Sequence, residues 1–165
     1  MKKYEFTGET KEIRLLFRTA TLHRIRATVA FGIVEVGDLG GWIEKEENLS
    51  HEGKAWVCGN AEVWGDAKVW GNAKVWGDAE VFSASHVLVI GAIGSRNDFT
   101  TFYRDKDNEI TVKCGCFLGK IDRFLEKVTQ THGDSKYALV YRAAVEVAKL
   151  QIDLSGEAPK DADEE

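Results

Sequence analysis

The sequence has no apolar run long enough to cross a bilayer. The stretch LVIGAIG at 88 to 94 is seven residues, against the roughly twenty that a transmembrane helix needs. The start, MKKYEFTGETKE, lacks the apolar segment of a signal peptide, so a cytosolic protein is expected. Cysteine is scarce: Cys58 stands alone, and Cys114 and Cys116 form a C-x-C without the C-x-x-C spacing of redox and zinc motifs. Three cysteines fit a cytosolic chain, and Cys114 and Cys116, two apart in a strand, read as small buried residues on one face. Positive charge is in deficit, with 22 Lys and Arg against 27 Asp and Glu. That disfavours a general polyanion-binding role, and no direct nucleic-acid contact is expected. Histidine is rare too. His23, His51, His86 and His132 do not supply the spacing of a three-histidine catalytic zinc site, and neither a metal nor a cofactor is called for.

What the sequence has in abundance is a repeat. Residues 53 to 82 read GKAWVC GNAEVW GDAKVW GNAKVW GDAEVF, five hexads with Gly at 53, 59, 65, 71 and 77. Ala recurs at 55, 61, 67, 73 and 79, and Val at 57, 63, 69, 75 and 81. In extended chain, residues two apart share a face, so each Ala and Val point inward while Glu62, Lys68, Lys74 and Glu80 point away. The Gly-Asn and Gly-Asp pairs fall where the chain must bend. Strands this short cannot bury a face alone, so stacking of successive coils is expected.

The hexads resemble the hexapeptide-repeat, left-handed β-helix family, in which three hexads make one triangular coil. The resemblance implies the handedness and a mainly β fold class: a short left-handed parallel β-helix with an N-terminal β cap and a C-terminal β-hairpin plus αα-hairpin. Expected boundaries are 1 to 37 for the cap, 38 to 94 for the β-helix, 95 to 117 for the β-hairpin, 118 to 152 for the two helices and 153 to 165 for an acidic, disordered tail. Stepping back by sixes from Ala55 places Leu49 and Ile43 in the small column, and His51 falls in the Val column. The hairpin is read from two strands around Asp105 to Asn108, and the helices from Ile121, Phe124, Leu125 and Val128, with Gly133 as a stop.

GDLGGWIEKEENLSHEGKAWV at 37 to 57, the hexads, TTFYR, KCGCFLGKIDRF and THGDSKYALVYRAAVEV together look like a group of small phage and prophage proteins with a short β-helix, a hairpin and a helical tail. That likeness implies a phage-encoded protein acting in the host bacterial cytoplasm. With no catalytic constellation to carry over, the expected function is non-catalytic binding by protein-protein occlusion. The expected target is a host bacterial defence protein such as a CRISPR effector.

The candidate binding residues are the outward aromatics Trp64, Trp70, Trp76 and Phe82 with the acids Glu62, Glu80, Asp66 and Asp78. Aromatics in such numbers mark an interface unless other segments cover them. With three hexads per coil, residues 18 apart stack, setting Trp64 over Phe82. Three readings of the ladder stand: covered by the flanking segments, buried in a homo-oligomer (a trimer or a dimer), or open for docking. Two other functions are carried. An oligomeric nucleotide-sequestering protein would use Arg24, Arg26 and Arg96 on phosphates. A hexapeptide-repeat acyltransferase, which the family resemblance suggests, would use His51 or His86 as general base.

Overall fold

The computed structural model describes residues 1–156 and the backbone of 160–161; the rest of the expected acidic tail, 157–159 and 162–165, lies outside the described residues. Chain order is β1 (Tyr4–Arg14), β2 (Thr19–Ala27), β3 (Leu39–Ile43), β4 (Trp56–Val57), β5 (Glu62–Val63), β6 (Lys74–Val75), β7 (Glu80–Val81), β8 (Val87–Ile93), β9 (Asp98–Arg104), β10 (Ile110–Cys114) and β11 (Phe117–Lys120). Two helices follow, α1 (Ile121–His132) and α2 (Lys136–Gln151), and then the two-residue strand β12 (Lys160–Asp161).

Three separate sheets result. A six-stranded mixed sheet runs β12-β1-β2-β3-β5-β7, a four-stranded sheet β11-β10-β9-β8, and a two-stranded ladder joins β4 to β6. The expected left-handed β-helix over 38 to 94, and with it the hexapeptide-repeat family assignment, is corrected by this arrangement. The hexads give strands of only two residues, too short to hold a sheet by themselves. β5 and β7 are taken up by longer neighbours, since β1, β2 and β3 pair antiparallel and extend one side of β5, while β4 and β6 pair with each other. Residues 87–93, expected to finish the repeat, instead form an antiparallel strand against β9. The sheets are therefore mixed and antiparallel, and no closed solenoid is formed among the described residues.

Within that frame the hexads still pair in parallel at an offset of 18, Glu62 with Glu80 and Trp56 with Lys74. Lower down the offset is 20, with Ile43 opposite Val63 and Leu49 opposite Val69. The extra two residues lie between Leu49 and Val57, eight apart where the other members of the column are six apart; just before them the 3-10 turn Glu46–Asn48 is held by the buried Asn48 amide, which donates to the Gly65 and Ala67 carbonyls at 3.2 and 2.9 Å. Leu49 and Ile43 accordingly stand in the Val column and not in the Ala column. All ten Ala and Val of the hexads are buried to within 1% exposure, because Gly at positive φ turns the chain at each bend; an added Cβ at Gly53 would meet the Gly71 carbonyl at 2.8 Å.

The second sheet has two jobs. One face packs on α1 and α2, where Phe102, Val112, Phe124, Val128, Tyr141 and Val145 form a core. Its β9 strand also runs across the last hexads: Tyr103 and Thr101 hydrogen-bond to residues 74–76, and Asp105 pairs with Ala79. Arg104, fully buried, donates to the Glu80 carbonyl at 2.9 Å. Among the described residues no helix is long and apolar enough to cross a membrane.

Candidate functional site

The aromatic ladder is divided by its surroundings. Trp64 is buried and stacks on Phe82 at 4.9 Å, within a cluster that includes Ile13, Leu22 and Trp42. Phe82 is half-buried, with the Arg104 guanidinium 5.0 Å from its ring. Trp76 is half-buried beneath the Lys113 ammonium, 4.5 Å from its ring; burial, and then the neighbouring Lys74, hold the Lys113 pKa low. Trp70 alone of the four is open, at 70% exposure. Flanking segments thus cover most of the ladder and leave one ring.

Two depressions meet at that ring, and a third adjoins them. A groove of about 540 Å³ lies between Lys68, Trp70 and Gly71 on one bank and Val87, Leu88, Val89 and Phe99 on the other. A second hollow of about 510 Å³ shares Lys68 and Trp70 and reaches Glu46, Glu47 and His51. A third, about 500 Å³, shares Phe99 and Asn72 with the groove and adds Lys54, Lys74, Trp76 and Ile33. The groove is apolar apart from Lys68 and Asn72, and the hollows beside it carry charges of both signs, Glu46 and Glu47 next to Lys68 and Asp98 with Lys54 and Lys74. An apolar groove with an exposed Trp and a single lysine on its bank can hold an apolar segment that carries an acid.

The groove exists because the three parallel ladders of the hexads end differently. In each hexad the residue before Val and the residue after it turn their backbone groups toward the next layer. For β6 these are Lys74, whose N–H donates to Thr101 Oγ1 at 3.0 Å, and Trp76, whose N–H donates to the Tyr103 hydroxyl at 3.3 Å. For β7 the Glu80 carbonyl accepts from Arg104 at 2.9 Å and the Phe82 N–H donates to His86 Nδ1 at 3.1 Å. In the remaining ladder Val69 donates to the Asn48 carbonyl and accepts from the Ser50 N–H, both at 2.9 Å. Those bonds lie on the Leu49 side, so the N–H groups of Lys68 and Trp70 face the other way. Neither bonds to another described residue. The chain that would have stacked there has left: the Ser85 carbonyl accepts from Asp153, and β8 is committed to β9 on its other side.

The other sequence candidates are dispersed. Glu62 is buried and paired with Lys11 at 2.5 Å, Glu80 lies 3.6 Å from Arg104, Asp78 lies 3.4 Å from Lys106, and Asp66 is exposed. They attend different partners and form no common acidic face. Arg24 and Arg26, on β2, pair with Glu9 at 3.6 Å and Glu5 at 2.6 Å, while Arg96 sits between β8 and β9 of the other sheet. The three are not brought together around one phosphate.

Each candidate histidine is engaged. His51, expected in the Val column, instead stacks on Tyr4 at 4.0 Å and accepts the Lys3 N–H at Nδ1; burial lowers its pKa against the opposing pull of Glu46. His86 is buried, its Nδ1 caps Phe82, and burial followed by the Arg104 charge lowers its pKa. Both rings present Nδ1 to a backbone N–H, which is a structural use of the imidazole. Among the described residues no group of three His, Cys, Asp or Glu is placed to hold a metal ion.

The sequence assigned no binding role to the residues opposite Trp70, namely Val87, Leu88, Val89 and Phe99. The signal available was weak: VLVI lacks the alternation of the hexads, marking the point where the repeat gives way to a different strand. The chain matches no model of a known protein family and no curated protein, so the resemblance to hexapeptide-repeat and phage proteins finds no support there and carries no functional residue to this chain.

Proposed function

We propose that the protein is a non-catalytic binding protein that works by covering part of another protein, with the Trp70 groove as its docking face. The observation that carries this reading is the exposure of Trp70, at 70%, beside an apolar groove while Trp42, Trp56 and Trp64 are buried. A large ring left in water costs transfer free energy that burial in a partner returns, and tryptophan is enriched among the residues that dominate interfaces. The target class expected from sequence, a component of a bacterial defence system such as a CRISPR effector, stays the first to assay.

The test is capture from lysates of bacteria carrying defined defence systems, with wild type and Trp70→Ala as paired baits and the native mass of each recorded. A stoichiometric defence subunit held by wild type and lost by a folded Trp70→Ala supports the reading. Equal recovery by both baits, or none by either, refutes it. A wild-type bait of multiple mass that becomes monomeric on Trp70→Ala would show the face to be a homo-oligomer contact instead.

A further inference from the structure

We infer that the groove takes an extended segment of the partner as an added β-strand, paired in parallel with Lys68–Val69–Trp70, and that this segment carries an acidic residue beside Lys68. The inference rests on the docking reading above and says how docking is achieved. At the two other ladders the chain meets the equivalent backbone groups with its own atoms: Thr101 and Tyr103 at Lys74 and Trp76, Arg104 and His86 at Glu80 and Phe82. At Lys68 and Trp70 the same donors are left open and face an apolar groove. An unpaired edge of this kind is a template for another strand, with backbone bonds supplying affinity and alternate side chains supplying selectivity.

The register defines the occupant. Val69 is fully buried and points to the core, while Lys68 and Trp70 point outward and are exposed. In a parallel neighbour the residue over Val69 faces inward and must be aliphatic. The residues on either side of it stand next to Lys68 and Trp70. An acid is favoured at the first, where Lys68 is the one charge lining the groove; an aromatic or aliphatic residue is favoured at the second. Acid, aliphatic, aromatic in sequence is the pattern this chain itself uses in Glu80-Val81-Phe82. A peptide copying that hexad is therefore a defined probe.

The experiment uses the full chain, isotopically labelled, with the capped peptide Gly-Asp-Ala-Glu-Val-Phe-Ser and two controls, one N-methylated at Val and one with Lys in place of Glu. In the free chain the Lys68 and Trp70 amides should exchange at least about tenfold faster than the Val69 amide. Adding the peptide should slow both by about tenfold or more and leave Val69 unchanged, the N-methylated control should lose that protection, and Lys68→Glu should reverse the preference for Glu over Lys. Lys68 and Trp70 amides already as protected as Val69 in the free chain would overturn the inference. So would a peptide that shifts the Trp70 signals without slowing those amides, an outcome that leaves docking at Trp70 intact. No response at Trp70 to the peptide or to a captured partner would sink both.

Discussion

Arg104 offers the sharpest test of how the two large sheets are held together. It is fully buried, donates from Nη1 to the Glu80 carbonyl and from Nε to Asn108 Oδ1, each at 2.9 Å, and lies 3.6 Å from the Glu80 carboxylate. Arg104→Met keeps an unbranched stem against Phe82 and removes the charge with both hydrogen bonds. Bonds from a charged donor contribute about 1.5–3 kcal/mol each, and removing one partner of a buried pair costs about 3–5 kcal/mol. Against this stands relief from desolvation, which depresses the Arg104 pKa ahead of the opposing effect of Glu80. The balance is a loss of about 3 kcal/mol, or about 6–12 °C in Tm for a chain of this size.

Glu80→Gln separates the contributions, because it neutralises the carboxylate and keeps the carbonyl that Arg104 holds. Denaturant unfolding of the wild type, both single variants and the double variant should give a coupling of about 1 kcal/mol or more between the two sites. Arg104→Met should remain the costlier single change. A neutral or stabilising Arg104→Met would refute the reasoning. It would mean that packing alone seats β9 on the last hexads and that the guanidinium contributes no net stability.

Three further outcomes are expected. Trp64→Ala should destabilise by about 3–5 kcal/mol, whereas Trp70→Ala should change stability by no more than about 0.5 kcal/mol; thermal unfolding checks the contrast. Gly53→Ala should cost more than Gly71→Ala, since both glycines have positive φ but only the first would press a Cβ on a backbone oxygen; the shared conformational penalty is about 1–2 kcal/mol, and denaturant midpoints would show the excess. Lys3 is buried, donates to the Ala55 carbonyl at 2.7 Å, and has its pKa lowered by burial to about 8. The unfolded chain therefore holds this proton over a range where the folded chain has released it. Stability should rise with pH through that window, by about 2 kcal/mol from pH 8 to 9.5 relative to Lys3→Met, and be flat below it.

The parts of the fold legible in the sequence were those with strong periodicity. The inward Ala and Val columns and the α1 face carrying Phe124 and Val128 follow directly from spacings of two and of three to four, and these side chains are buried. Spacing could not say that two-residue strands would be absorbed into sheets built mainly by their neighbours. That outcome depends on pairing between distant segments: β2 with β3, and β9 across residues 74 to 80. The candidate site was half legible. The repeat singled out Trp64, Trp70, Trp76 and Phe82 as equivalents. Which one stays open was decided by Lys113, Arg104 and the departure of the chain at Ser85, and none of these carries the hexad pattern.

The central claim is that Trp70 and the groove beside it form the docking face. The most direct test is the Kd of a captured partner for wild type, Trp70→Ala and Arg123→Ala, the last an exposed change on α1. The account predicts a loss of at least about thirtyfold for Trp70→Ala, the equivalent of about 2 kcal/mol at an anchor residue, and no change for Arg123→Ala. Equal affinities across all three would place the docking face elsewhere and contradict the account.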